Sequence, residues 1–171
     1  NPHIKQRNID HTINQITEGG SINLFSKRHE AHIKGAWNMF TDNPLVGQGP
    51  KMFRLLCNDI RFNQNKDSNT CSTHPHNSYL QLLAETGLIG LSFIIFICFQ
   101  ILNLIFKHTY FYFKRNEFLL SDFEICLIAC VIVTLWPFIP SQNFFNNWIN
   151  VIYFLPIGFL LHSFDKKYEK T

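Results

Sequence analysis

Two histidines in a short run, His74-Pro75-His76-Asn77, stand just ahead of a carboxylate, Glu85, and of a stretch with no Asp, Glu, Lys or Arg from Thr86 to Phe106. An imidazole, with an ordinary pKa near about 6.5, is the side chain best poised to take a proton from a hydroxyl at neutral pH. Upstream, Arg28 and Arg54 are cations able to make paired hydrogen bonds to phosphate oxygens. Titratable groups at the end of an apolar segment are costly unless something pairs or uses them, so the run reads as chemistry at a membrane surface. The residues alone leave alternatives open. His76-Asn77 is either a reactive pair or a helix cap, Glu85 either orients His76 or caps the span, and each arginine is either an anion ligand or a solvated charge.

The elements that must position these groups are visible in the hydropathy pattern. A mean hydropathy near zero and 16% charged residues conceal a polar first half and an apolar second half. The stretch Thr86 to Phe106 has about the 20 residues that a helix needs to cross a hydrocarbon core of about 30 Å. Ile125 to Phe164 has no Asp, Glu, Lys or Arg and is about twice that length. Prolines and amides at Trp136-Pro137-Phe138-Ile139-Pro140-Ser141-Gln142-Asn143 divide it. The prediction is an all-α polytopic membrane chain with three transmembrane helices, 86–106, 123–139 and 147–163, joined by a connection 107–122 and a turn 140–146. Lys107, Lys114 and Arg115 lie in the connection, Lys166, Lys167 and Lys170 in the tail 164–171, and the turn has no basic residue. The positive-inside rule then makes the connection and tail cytoplasmic and puts residues 1–85 outside. A net charge of +3, scattered along the chain, gives no case for nucleic acid. The start at Asn1-Pro2-His3 and the odd number of spans lead to the expectation of a C-terminal part of a longer protein.

Ile4, Ile9, Ile13 and Ile16 predict a weak amphipathic helix. Further helices are predicted near 27–41, with Ser26 as N-cap, and near 50–57, 76–110, 121–137 and 146–164. The helix from His76 is expected to enter the first span unbroken, because no proline occurs between Asn77 and Phe106. Pro44-Leu45-Val46-Gly47-Gln48-Gly49 reads as a tight turn and lacks the lysine ending of a phosphate-binding loop. Cys57 and Cys71 close a polar loop of about 15 residues, for which a disulfide would contribute about 3 kcal/mol. An oxidising compartment favours that pairing. Cys98, Cys126 and Cys130 fall inside the spans and read as packing residues.

The order Arg28, Ala36-Trp37-Asn38-Met39-Phe40, Asn43-Pro44-Leu45-Val46-Gly47-Gln48-Gly49, His76-Asn77-Ser78-Tyr79-Leu80, Glu85-Thr86-Gly87-Leu88-Ile89-Gly90 resembles the C-terminal half of the O-antigen ligase and O-antigen polymerase family. The resemblance spans about 22 to 106, and the later spans suit the family's ending. It implies a GT-C type glycosyltransferase in the bacterial inner membrane, with residues 1–85 periplasmic. The implied donor is a glycan on undecaprenyl diphosphate, and the implied acceptor in the ligases is a hydroxyl of the lipid A core. In the polymerases it is a second lipid-linked repeat, and related members are protein O-oligosaccharyltransferases. Neither metal nor other cofactor is implied, and membrane lipids are the surrounding partners. Carried onto this chain, His76 is the base and Arg28 the diphosphate ligand, with Arg54 in reserve and Asn77 and Glu85 in support. The family often has an arginine a short fixed distance before a tryptophan; here Trp37 lies farther on and His29 and His32 intervene. His74, separated from the motif by a proline, reads as structural.

Two readings of other classes remain. Zinc could be held by His74, His76, and His29 or His32 with the loop cysteines, though the spacing fits no compact motif. A non-catalytic membrane interaction protein or transporter fragment would use the polar segment to bind a partner.

Overall fold

A computed structural model describes residue 13 and residues 27–63, 71–138 and 140–168. The amphipathic helix expected at Ile4 to Ile16, apart from Ile13, and the Ser26 cap lie outside the described residues. The described chain is all-helical: α1 Lys27–Asp42, α2 Phe53–Leu56, α3 Ser78–Arg115, α4 Asp122–Thr134 and α5 Asn147–Tyr168.

Two cores organise these helices. The first gathers Ala36 and Met39 of α1, Phe53 of α2, Cys57, Phe62 and Ala84 of α3. Cys57 and Cys71 are joined as a disulfide with Cα atoms 5.0 Å apart, which ties the end of α2 to the segment entering α3. The second core packs Leu82, Ile94 and Ile101 of α3 against Ile128 and Val131 of α4 and Tyr153 and Leu160 of α5. Outside it the helices show water-averse side chains to their surroundings, among them Phe93, Phe96, Phe99 and Leu102 on α3 and Val151, Ile152 and Leu155 on α5. Such a face is stable only in an apolar medium or against another apolar surface.

Two described helices, α3 and the Asn147–Asp165 part of α5, are long and apolar enough to cross a membrane. Helix α4 has 13 residues, about 20 Å at 1.5 Å per residue, short of a hydrocarbon core by itself. The prediction of a helical span to 139 is therefore corrected: the helix stops at Thr134, and Leu135 caps it with non-helical angles. At its other end a capping box forms between Ser121 and Glu124, and Ser163 of α5 donates to the same carboxylate at 2.8 Å.

The expectation of an unbroken helix from His76 is also corrected. Gly87 takes φ 62° and ψ −161°, and α3 kinks there. In a continuous helix the amides of Leu88 and Ile89 would bond the carbonyls of Ala84 and Glu85. Instead they donate to Pro44 at 2.8 Å and Leu45 at 3.2 Å, while the Ala84 and Glu85 carbonyls accept from Gln48 and Gly49, each at 2.9 Å. The glycine loop thus inserts into the helix ladder and pairs these four backbone groups. Both glycines are required by this close approach. A Cβ on Gly47 would lie 2.5 Å from the Glu85 carbonyl carbon, and one on Gly87 would fall on the backbone carbonyl of Leu45.

Candidate active site

Helix α1 carries Arg28, His29 and His32 at spacings of three and four residues, which share one helix face. The segment entering α3 brings His74 and His76 to that face. Pro75 disfavours a helical His74, and Asn77 is extended, with its side chain accepting from the Tyr79 and Leu80 amides as the N-cap of α3. Between them His76 takes φ 57°, a left-handed conformation uncommon for a residue with a Cβ. Its carbonyl accepts from the Ser141 amide at 2.9 Å, which holds the turn.

The rings form a cluster. The His76 centroid lies 4.2 Å from that of His74, 5.3 Å from His32 and 5.7 Å from His29. His32 is 1% exposed, and neither of its ring nitrogens has a hydrogen-bond partner among the described residues. His76 is half-buried, and its Nε2 lies 3.2 Å from the Ser72 hydroxyl. Burial, then the charges of His29 and Arg28, hold the His76 pKa below the ordinary imidazole value. Burial and then His76 do the same to His74, partly offset by its bond to the Ser141 carbonyl. The result is a neutral imidazole at neutral pH, facing the surroundings and able to accept a proton.

The structure brings Arg28 to this cluster: its side chain is exposed, and its charge acts on both His32 and His76. Arg54 is exposed on α2, and its charge acts on Glu85 rather than on the histidines. Glu85 is fully buried and accepts from the Lys51 amide at 2.9 Å, the Phe53 amide at 2.9 Å and Gln81 Nε2 at 3.1 Å. Its carboxylate is thus spent on the loop before α2, and the idea that it orients His76 is corrected on that ground. Asn77 supports the site as a cap, and its Nδ2 also donates to the Pro137 carbonyl at 2.8 Å. Cys57 and Cys71 are bonded to each other, which removes the thiolates from the zinc arrangement. Among the described residues no group of three or more His, Cys, Asp or Glu is placed to hold a metal ion.

The sequence reading missed the brace behind the motif. Ser141 accepts from or donates to three partners there: its carbonyl meets His74 Nε2 at 3.1 Å, its hydroxyl meets Ser78 Oγ at 2.8 Å, and its amide meets His76 as above. Gln81 donates to Asn143 Oδ1 at 2.8 Å and accepts from the Phe144 amide at 2.8 Å. The available signal was a run of amides and a serine between two apolar stretches, read only as a helix stop. The sequence reading grouped His29 or His32 with His76 only as a candidate zinc set, and not as ring neighbours of the base.

Helical architecture, membrane-type helices and a basic, imidazole-rich cluster at the head of one of them define a membrane protein with a candidate acid-base site. The family model described as O-antigen ligase matches residues 4–95. The chain belongs to that family, whose members are transferases of lipopolysaccharide biosynthesis working on lipid-linked glycans and their acceptors. No curated protein and no solved structure matches the chain significantly.

Proposed function

We infer that this chain carries the reaction centre of an O-antigen ligase that moves a glycan from undecaprenyl diphosphate to a hydroxyl of the lipid A core. The observation that carries the reading is the histidine cluster above α3, where His76 lies within the field of Arg28 and burial first, then His29 and Arg28, favour its neutral form. The acceptor oxygen forms the new bond to the anomeric carbon as its proton passes to His76. The bond from that carbon to the diphosphate oxygen breaks, and the electron pair leaves with the lipid diphosphate. Arg28 offers two parallel N–H donors to the growing negative charge. Donor binding also acts back on the base, since an anion beside Arg28 offsets the charge that depresses His76 and makes it a better proton acceptor. Lys114 and Arg115 at the far end of α3 support, by the positive-inside rule, a centre on the outer face of its membrane, which in this reading is the periplasmic face of the inner membrane.

The test uses the intact protein with lipid-linked glycan and lipid A core. His76→Ala is expected to abolish transfer while donor accumulates. Arg28→Lys is expected to fail as well, because an ammonium cannot reproduce the two-pronged contact. Full transfer by His76→Ala protein refutes the mechanism. Transfer to a second lipid-linked repeat or to protein, with none to lipid A core, refutes the ligase assignment and leaves the base in place.

A further inference from the structure

We propose that His32 is a positioning residue for His76, accepting a hydrogen bond from the His76 imidazolium formed when the acceptor is deprotonated. The proposal rests on His76 being the base, as argued above.

A fully buried imidazole with two unsatisfied nitrogens costs about 1–3 kcal/mol, which a purely structural position would shed by carrying an apolar side chain. His32 has this environment, 1% exposed and, among the described residues, without a partner at Nδ1 or Nε2. Its neighbours are the rings of His76, His29 and Phe53. Two imidazoles joined by an N–H···N bond of about 3 Å hold their centroids roughly 5.2 Å apart. The His32 and His76 centroids are 5.3 Å apart, with their planes inclined by 31°. The separation suits such a bond once a nitrogen of each ring is turned toward the other, with Ser72 already at His76 Nε2 and leaving Nδ1 for one of the two contacts. The Cβ–Cγ torsion that turns a ring is broad for histidine.

The acceptor role requires a lone pair on His32, hence a neutral ring. Burial first, then the charges of His76, His29, Arg28 and His74, lower its pKa to about 4. The proton therefore stays on His76: its N–H donates, His32 accepts, and no second transfer occurs. A third group behind the base is the usual means of fixing its ring. Glu85, the carboxylate that sequence offered for this role, is committed to the amides of Lys51 and Phe53.

The test compares His32→Phe and His32→Gln in the intact protein. His32→Phe keeps a planar ring and removes both nitrogens. Its kcat is expected to fall roughly 30-fold, a part of the roughly 10²–10⁴-fold that acid–base catalysis contributes, because the base itself remains. KM for the lipid-linked donor and the unfolding midpoint should hold or, for the midpoint, rise. The acid limb of the rate profile should move down by about one pH unit, since an unsupported imidazolium loses its proton more readily. Arg28, His29 and His74, the other charged or titratable groups facing His76, are unaltered in this variant. His32→Gln, whose amide oxygen can accept the bond, should stay within about tenfold of wild type. Wild-type kcat with an unmoved limb in His32→Phe overturns the proposal, and so does a kcat loss matched by a fall in the midpoint. If His32→Phe does not accumulate, His32→Gln decides alone, a loss deeper than about tenfold counting against. Activity in His76→Ala would instead sink the functional reading, so the two failures are distinguishable.

Discussion

Replacing Gly87 by alanine should uncouple the glycine loop from α3. At φ 62° and ψ −161° an L-residue is strained by about 1–3 kcal/mol. The added methyl would also fall on the Leu45 carbonyl, so the loop must withdraw or both segments must shift. If the loop withdraws, α3 can close its own ladder, with the Leu88 and Ile89 amides returning to Ala84 and Glu85. The amides of Gln48 and Gly49 then lose their acceptors, and Glu85 loses the amides of Lys51 and Phe53. Four bonds at about 0.5–1.5 kcal/mol each put the loss at about 2–6 kcal/mol, a large part of the total stability of a domain. Because the loop follows α1 directly, its release also frees Arg28 and His32 from their register with His76. The expected result is a lower unfolding midpoint in detergent and loss of glycan transfer by the intact protein. Gly158→Ala is the control: nothing lies within 4 Å of its Cβ position, and alanine in a helix is favoured by up to about 1 kcal/mol. A Gly87→Ala protein within about 1 kcal/mol of wild type and fully active would refute the reasoning.

Acid should destabilise the site through its histidines. His32 has a folded-state pKa of about 4 against 6.5 unfolded, so the unfolded chain binds more protons between those values and stability is lost as pH falls through that window. The loss from His32 is about 3 kcal/mol when complete. His74 and His76, also lowered, act in the same direction, and unfolding midpoints followed from pH 7 to 4 should fall less steeply in His32→Phe than in wild type. Cys57→Ser should lower the midpoint by an amount equivalent to about 3 kcal/mol, and wild-type protein under reductant should match it; a variant as stable as the oxidised wild type would show that the disulfide constrains nothing.

What the sequence determined by itself was whatever depends on neighbours along the chain. The apolar runs of α3 and α5 are long enough to declare themselves, Asn77 caps the helix it precedes, and the breaks at Pro44 and at Pro137 to Pro140 follow from missing amides and fixed torsions. The pairing of Cys57 with Cys71 needed only a short loop and an oxidising setting. Tertiary structure decided the rest. Gly87 permits the break in α3 but does not specify it, because the competitor for its hydrogen bonds is a loop from Pro44 to Gly49 that reaches it only in the folded chain. Glu85 looked like a partner for His76 from its position on the next turns of the same helix, yet the amides of Lys51 and Phe53 were nearer in space. His32 and His76 share no periodicity at all. A backbone turn at His76, pinned by Ser141, points one ring at the other, and hydrogen bonds between distant segments set that direction rather than the spacing of residues.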